Sequence, residues 1–485
     1  MKIRQTDTDI SLAQSWVTQT RHFLEGEQTV KKRNALYLPK SSADQPATSY
    51  KLMKDHAIFY PATSRTLEGL AGLIFRKPPV VDGAPEGSVM ARLLDALTSD
   101  AEDLLTFSYN VVCERLTSNF MGLLVDMPVG EADANLSPAQ RVEQDQRPFV
   151  NVYTFENIVA REYKTVRGRR TLVYVRLIDA DQSERELRLI DGEYWVTIHQ
   201  HDGVMLQEGT PFQPLRNGKP LNRIPFFLNT SIRNGVIEQS PVAKIANLNL
   251  SHFRNEGLIA MSKLFQASPQ GYVFGVEWPL DKDGKPFKPT VSPGTFWTNP
   301  TGENVQIGYL EYTGKGLDDL RADRDKIESM MAVVGVQMIA GEKIAAEAPE
   351  TLAIRRASEN SALATIANLT SKAIQDALNE MADWMGLPHV RFQLNTDFLP
   401  QPMTAAEIQA HVSLLQAGVL SGETIFLALR DGDVVNPTLT WEMEKTRLQN
   451  DQTDGLSFVV SKSGSLTTSE VPAQLPRNDK LAPLA

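Results

Sequence analysis

The sequence predicts an α+β fold, because segments with helical periodicity flank a stretch in which apolar and polar residues alternate. The helical segments dominate the first 120 residues or so and return after Ser240. The alternating stretch, 149–228, contains "TLVYVRLID", "ERELRLIDG" and "EYWVTIHQHDG", separated by turns rich in Asp and Gly. With 485 residues, the chain is long enough for about two to four domains.

The first helix is predicted over 9–33, with four residues on its apolar side: Trp16, Val17, Phe23 and Leu24. A loop rich in Pro and Ser follows at 34–49, and further helices are predicted at about 50–76 and 99–118. The last of these is expected to share one face among Leu104, Leu105, Tyr109, Val112 and Leu116. The segment "FMGLLVDMP" (120–128) reads as a short buried strand.

Residues 59–79 contain a helix with a sharp end. Pro61 suits the first helical position, and an apolar stripe follows at Leu67, Leu70, Ala71 and Ile74. Gly69 and Gly72 are expected to admit another backbone closely. Arg76 and Lys77 suit the negative end of the helix dipole, and two prolines then prevent continuation.

The alternating stretch predicts an antiparallel meander, which "RIPFFLNT" (223–230) closes as a further strand. After it, Ser240-Pro241 predicts a helix start, and the helix is expected over 241–265. The next segment, 268–313, is irregular and contains the short strands "GYVFGV" and "VQIGYLEY". A second helix is predicted over 316–340, with an apolar seam interrupted only by Arg324: Leu317, Leu320, Ile327, Met331, Val334 and Met338.

A short loop, "GEKIAAEAP" (341–349), precedes a long segment without Gly or Pro, 350–385. If this segment is one straight helix, its roughly 36 residues span about 54 Å. A strand is predicted at 389–398, and short helices at 404–417 and 421–430, the latter capped by Ser421. The polar, Pro- and Ser-rich end, 451–485, is expected to be loose.

Composition excludes several functional classes. The net charge of −10 argues against bulk attraction of nucleic acid. The longest uncharged apolar run, Met330 to Ala340, is far shorter than the ~20 residues that cross a bilayer. The first residues lack the apolar core of a secretory signal, and one cysteine, Cys113, fits a reducing compartment and is expected to be buried and inert.

Searches for catalytic chemistry find no complete motif. The three Gly-Lys pairs, at 218–219, 284–285 and 314–315, lack the Ser or Thr of a phosphate-binding loop. His199 and His201 share a strand face, but no Cys or third His lies nearby, so a solvated face is favoured over zinc. The acidic turns at 281–284 and 431–436 lack the spacing of a calcium loop. We therefore expect no catalytic residues, no metal and no cofactor, and predict that the protein is not an enzyme.

The order of elements resembles that of the bacteriophage portal (head–tail connector) proteins, in the branch long filed as a domain of unknown function. The resemblance covers about 15–445 and excludes the C-terminal tail. It is carried by "VKKRNALYLP", "YKLMKDHAIFYPATSRTLEGLAGLIFRKPP", "GLLVDMP", "RPFVNVYTFENIV", "RIPFFLNT", "SPVAKIANLNLSHFRN", "YLEYTGKGLDDLRADRDKIESMMAVVGVQMI" and "ETLAIRRASENSALATIA".

This resemblance implies a domain order. The expected parts are a wing (1–240), a first stem helix (241–265), a clip (266–315), a second stem helix (316–340), a tunnel loop (341–349), a long helix and wing strand (350–400), a small helical crown (401–450) and a flexible C-terminal tail (451–485).

The resemblance also implies a function: a ring of twelve subunits at the unique capsid vertex, assembled in the host cytoplasm, through which double-stranded DNA passes without sequence specificity during packaging and ejection. Implied partners are the terminase large subunit, the major capsid or scaffolding protein and the head–tail adaptor, with no membrane. Channel residues would be Glu342, Lys343, Glu347, Arg321, Arg324 and Lys326. Clip residues that face the terminase or adaptor would be Asp281, Lys282, Asp283, Lys285 and Lys288.

Charge supports this interpretation, because the helix 316–340 carries nearly balanced acids and bases, which keeps a polyanion mobile. Arg324 would either pair with an acid of the adjacent subunit or face the lumen. Two alternatives remain. Another phage head–tail structural or adaptor protein would lack the tunnel loop and long helix, and an enzyme would need a convergent titratable cluster.

Overall fold

The computed structural model describes most of the chain and has a mixed α+β fold. The residues it describes are 7–128, 136–201, 206–207, 209–216, 218–233, 235–267, 270–274, 284, 306–310, 315–340, 362–398, 403–432, 434–436 and 439–453. The chain divides into two compact units, Met1–Leu399 and Pro400–Ala485.

The first unit begins with two helices where the sequence predicted one, and a third short helix lies where a loop was predicted. They are α1 (Thr8–Glu25), α2 (Glu27–Lys32) and α3 (Asn34–Tyr37). Gly26 separates the first two at a φ of +95°, a conformation that glycine adopts without steric strain. Val17 and Phe23 are buried, as the predicted apolar side required.

The helix predicted at 50–76 is also divided. It consists of α4 (Ala47–His56) and α5 (Ala62–Ile74), with an extended segment between them. Leu70, Ala71 and Ile74 are buried, so the predicted stripe is confirmed. The prediction for Gly69 and Gly72 is wrong, because a Cβ atom at either position would have no atom within 4 Å.

Two further helices, α6 (Val89–Leu94) and α7 (Leu104–Ser118), follow the short strand β1 (Val80–Asp82). The predicted face of α7 is only partly correct. Val112 and Leu116 are buried, but Leu105 and Tyr109 are exposed. The buried face instead includes Phe107 and Val111.

A three-stranded antiparallel sheet lies in the main core. Its central strand is β2 (Phe120–Asp126), flanked by β3 (Phe149–Tyr153) and β11 (Phe226–Thr230). The strand β11 corresponds to "RIPFFLNT" and pairs with β2, so the prediction that it closes the meander is wrong. Gly122 is required here, because the Phe226 ring occupies the space of a Cβ atom. The short helix α8 (Pro138–Glu143) lies between β2 and β3 in the chain.

The predicted meander is a five-stranded antiparallel sheet whose strands follow chain order. The strands are β4 (Ile158–Val166), β5 (Arg169–Ile178), β6 (Glu184–Ile190), β7 (Glu193–His201) and β8 (Leu206–Gln207). Two small antiparallel pairs follow: β9 (Leu215–Arg216) with β10 (Lys219–Pro220), and β12 (Ile232–Arg233) with β13 (Val236–Ile237).

The rest of the first unit is mainly helical. It comprises α9 (Pro241–Ala267), the strands β14 (Gln270–Phe274) and β15 (Gln306–Leu310), α10 (Lys315–Ala340), α11 (Ala362–Met385) and β16 (Arg391–Gln393). The helix α11 occupies the described part of the predicted long helix, and 350–361 lie outside the described residues. The strand β16 pairs with β1 near the start of the chain.

The second unit is described as three helices: α12 (Ala405–Gln416), α13 (Gly422–Asp431) and α14 (Trp441–Thr453). The hydroxyls of Thr404 and Ser421 cap the first two, as the sequence predicted for Ser421. The side chains of Ile425 and Phe426 are buried, and the Phe426 ring contacts Trp441. None of the helices that the structure describes, in either unit, is long and apolar enough to span a membrane.

Candidate functional site in the paired helices

The start of α9 is fixed to the end of α7 by hydrogen bonds. The Ser240 hydroxyl accepts from the Ala243 N–H at 2.9 Å, which confirms the predicted cap. The same hydroxyl donates to the Thr117 carbonyl at 2.8 Å. The Asn119 amide donates to the Glu238 carbonyl at 2.7 Å. These bonds hold the first turn of α9 against the end of α7.

Along its length, α9 packs against several elements of the first unit, namely α1, α4, α5, α7 and α10. Phe253 is fully buried, in a cluster with Phe23 and Leu38, and its ring meets the Phe59 ring edge-on. Gly257 lies against Leu38, where a Cβ atom would come within 2.7 Å of a Leu38 methyl group. Close packing of this kind makes α9 part of the core.

The pairing of α9 with α10 is antiparallel, as two ionic contacts show. His252 on α9 lies 3.1 Å from Glu328 on α10. One turn later, Glu256 lies 3.8 Å from Arg324, one turn earlier on α10. The two helices therefore run in opposite directions, with their polar contacts in register.

Arg324 has a partner that the sequence analysis did not include. Its guanidinium contacts Glu256, Asp325 and Glu328 of its own chain, the closest approach being 2.8 Å to Asp325. The Glu256 side chain is buried, so Arg324 neutralises a carboxylate that the core has partly removed from water. In this chain Arg324 is paired internally, and no neighbouring subunit is needed for the pair.

The remainder of α10 is largely exposed. Its apolar seam contacts the body of the unit through Leu317 and Met331, which are buried, and through Leu320, Ile327 and Val334, which are half-buried. Met338 lies where side chains are not described. The outward residues carry charges of both signs: Asp318, Asp319, Arg321, Asp323, Asp325, Lys326 and Glu328.

The predicted strands between the helices, β14 and β15, pair with each other in antiparallel orientation. Tyr272 and Phe274 lie on one face, with ring centroids 5.3 Å apart. Tyr272 pairs across the strands with Gly308, whose Cβ position would be 2.6 Å from the tyrosine hydroxyl oxygen. Gly308 lets the Tyr272 ring lie over the neighbouring strand, and both aromatic side chains are exposed. This aromatic pair was not among the predicted site residues, although the alternation in "GYVF" places both rings on one face of the strand.

The predicted site residues fall into two groups. Arg321, Arg324 and Lys326 lie on α10, where Arg321 pairs with Asp318 at 3.2 Å. The other residues lie outside the described residues, and their roles remain predictions. These are Glu342, Lys343 and Glu347 of the loop, and Asp281, Lys282, Asp283, Lys285 and Lys288 of the segment between the helices.

The described residues contain no group of three or more metal-ligating side chains. The predicted solvated face is wrong for His199, because its side chain is buried. It receives a hydrogen bond at Nδ1 from the Gly209 N–H at 3.3 Å, and its Nε2 lies 3.8 Å from Glu186. Cys113 is half-buried, and burial raises the pKa of its thiol.

The fold was compared with solved structures of other proteins. The chain is similar to one from the neck of an empty GTA particle computed with C6 symmetry, with TM-score 0.40 and 13% identity, covering 79% of this chain and 94% of that chain. It is similar to a chain in the virion of a native gene transfer agent (GTA) particle, with TM-score 0.37 and 10% identity, covering 80% and 96%. It is also similar to a chain from the neck of a native GTA particle computed with C12 symmetry, with TM-score 0.37 and 12% identity, covering 82% and 98%.

Among curated proteins, none matches this chain. Among protein families, residues 241–385 match the family described as Domain of unknown function (DUF4055). The match begins at the first residue of α9 and ends at the last residue of α11. The family therefore covers the paired helices, the segment between them and the helix that follows.

Proposed function

We propose that this protein is a structural component of a bacteriophage head–tail junction, and specifically a portal protein. In this proposal, copies of the chain form a ring of about twelve subunits at the capsid vertex. The ring conducts double-stranded DNA during packaging and ejection. It first docks the terminase large subunit and later the head–tail adaptor.

One observation carries the proposal: α9 and α10 form an antiparallel pair, with the paired strands β14 and β15 between them in the chain, and one helix is core while the other is surface. A subunit that lines a passage needs one helix anchored in the body of the protein and a second helix, paired with the first, whose outer side faces the passage. The burial of Phe253 and Gly257 provides the anchor. The exposed, charged side of α10 provides the presented surface.

The charge of α10 suits a passage for DNA. Binding of a polyanion strengthens steeply with each phosphate that a cation neutralises. On α10, Arg324 is already paired with acids, and Arg321 with Asp318. Neutralised cations hold DNA weakly, so the helix neither traps nor strongly repels a moving duplex.

The ring is tested by mass and by imaging of the full-length chain. Twelve copies of a 53.8 kDa chain give a particle of about 650 kDa. We expect sedimentation near this mass and electron micrographs with a central hole. A monomer, or a small solid oligomer at every concentration tested, would contradict the proposal.

A second experiment distinguishes a portal from another ring of the head–tail junction. Shortening the loop 341–349 should leave the ring mass unchanged but reduce DNA packaging or retention, because the proposed loop contacts DNA and not neighbouring cores. The matched control removes the same number of residues from the exposed loop at 39–44. Loss of the ring on shortening 341–349, or full DNA retention, would count against the tunnel-loop assignment and favour the adaptor alternative.

A further inference from the structure

The hairpin between β4 and β5 carries the densest exposed positive charge in the described part of the five-stranded sheet. Its end, here called the basic ribbon, comprises residues 163–171. Every residue from 164 to 170 is exposed, and four of them are cationic: Lys164, Arg167, Arg169 and Arg170. This local charge opposes the net charge of −10 of the whole chain.

The basic ribbon projects beyond its neighbour in the sheet. The pairing of β5 with β6 covers Tyr174 to Ile178, whereas β5 continues its pairing with β4 back to Arg169. A register shift between Glu162 and Tyr163 lies at the base of the ribbon, where such irregularities increase the local twist. The result is a two-stranded ribbon with both faces open.

Within the described residues, the three arginines form no ion pair with a carboxylate, and Lys164 has only a long contact of 3.9 Å with Glu162. Arg170 stacks on the Tyr163 ring, with its guanidinium carbon 4.3 Å from the ring centroid. Stacking holds the guanidinium flat and leaves its N–H edges available to an acceptor. The cations of the ribbon are therefore available to a partner.

The turn of the ribbon has an arginine at a position whose backbone conformation favours asparagine or glycine. Arg167 and Gly168 have φ values of +50° and +76°, as in the two-residue turns that favour Asn-Gly. An arginine in the left-handed region carries a steric cost, and such positions concentrate at functional sites. The side chain of Arg167 stands at the very tip of the ribbon.

We infer that the basic ribbon binds the phosphate backbone of duplex nucleic acid, without sequence specificity, through residues other than those proposed for the passage. Phosphate contacts need only accessible cations, and the major groove of a DNA duplex admits a two-stranded β-ribbon. An acidic protein surface is the weaker candidate, because protein interfaces are built around an apolar core. On the basic ribbon the only large aliphatic side chain is that of Val166.

The test measures binding of the full-length chain to a fluorescently labelled random-sequence duplex by anisotropy, across about 50–200 mM salt. The variant R167Q/R169Q/R170Q removes three cations. We expect its affinity to fall at least about tenfold, and the slope of log affinity against log salt to become shallower by about 2.7. The matched control, K31Q/K32Q/R33Q, removes the same charge from the end of α2 and should change the slope much less.

Two outcomes would overturn the inference. One is an equal loss of affinity in both triple variants, which would indicate an effect of net charge. The other is tight binding of a labelled polyglutamate probe that duplex DNA fails to displace, which would assign the basic ribbon to an acidic protein.

A second variant, Arg167→Asn, relaxes the turn while removing one cation, so it should melt no lower than the wild type yet bind the duplex more weakly. Ring mass, measured in parallel, is expected to be unchanged and tests the proposed function separately.

Discussion

Helices α9 and α10 form one antiparallel pair, yet their surroundings are opposite. The helix α9 contacts five other helices. Its side chains Phe253, Asn249 and Glu256 are all buried. The helix α10 buries Leu317 and Met331 along one seam and leaves its other sides to solvent. The difference indicates that α9 holds the pair in the body of the protein, while α10 is available for interactions outside it.

The largest expected effect comes from truncating a buried aromatic side chain of α9 to alanine, compared with truncating an exposed apolar side chain of α10. Phe253→Ala should lower the free energy of unfolding by about 3–5 kcal/mol, because it leaves a cavity in a closed cluster. The control Val333→Ala, at an exposed position of α10, should change it by less than about 0.5 kcal/mol. Urea unfolding of both variants measures the difference. Similar losses would show that α10 is as buried as α9.

The next largest change in the free energy of unfolding is expected from breaking the Arg324–Glu256 ion pair between the two helices. Arg324→Leu should lower the free energy of unfolding by about 1–3 kcal/mol, because it leaves the buried Glu256 carboxylate without its guanidinium. The double variant E256L/R324L should recover most of this loss, since neither partner then remains uncompensated. If Arg324→Leu left the unfolding midpoint unchanged but altered assembly or packaging, the internal pair would not be the main role of Arg324. The result would then favour a partner in the neighbouring subunit or a position facing the lumen.

Smaller changes in the free energy of unfolding are expected when glycine is replaced by alanine on each helix, and the two changes should have opposite signs. Gly257→Ala should destabilise the protein by about 1 kcal/mol, because its methyl group would displace Leu38 from a buried position. Gly335→Ala should stabilise it by about 0.5–1 kcal/mol, because no atom lies within 4 Å and alanine favours the helix. Thermal melting of the two variants should therefore shift in opposite directions, and a shift in the same direction would remove the contrast between the helices.

The smallest effect is expected on the outer side of α10. Arg321→Gln breaks an exposed pair with Asp318 and should cost about 0.2–0.5 kcal/mol at low salt. The loss should shrink as salt is added, because screening weakens exposed pairs. A loss that persists in high salt would show that Arg321 has a partner protected from solvent, such as a second copy of the chain.

Local features of the fold were predictable from the sequence. The Ser240 cap, the apolar seam of α10 and the alternation of the meander depend on residues close in the chain. Predictions failed where the partner is distant. The strand of "RIPFFLNT" joined β2, more than 100 residues earlier, because Gly122 makes room there for the Phe226 ring. The exposure of Leu105 and Tyr109 likewise depends on which elements pack against α7.

The sequence by itself determined local features such as the start of α9, the apolar seam of α10 and the alternation of the meander, because caps and periodicity are properties of neighbouring residues. The tertiary structure alone decided that Arg324 pairs with Glu256, that Gly257 faces Leu38 and that the basic ribbon stands clear of its sheet. Each of these depends on segments brought together by folding. Their energies come from burial and from the distance between charges, neither of which the order of residues specifies by itself.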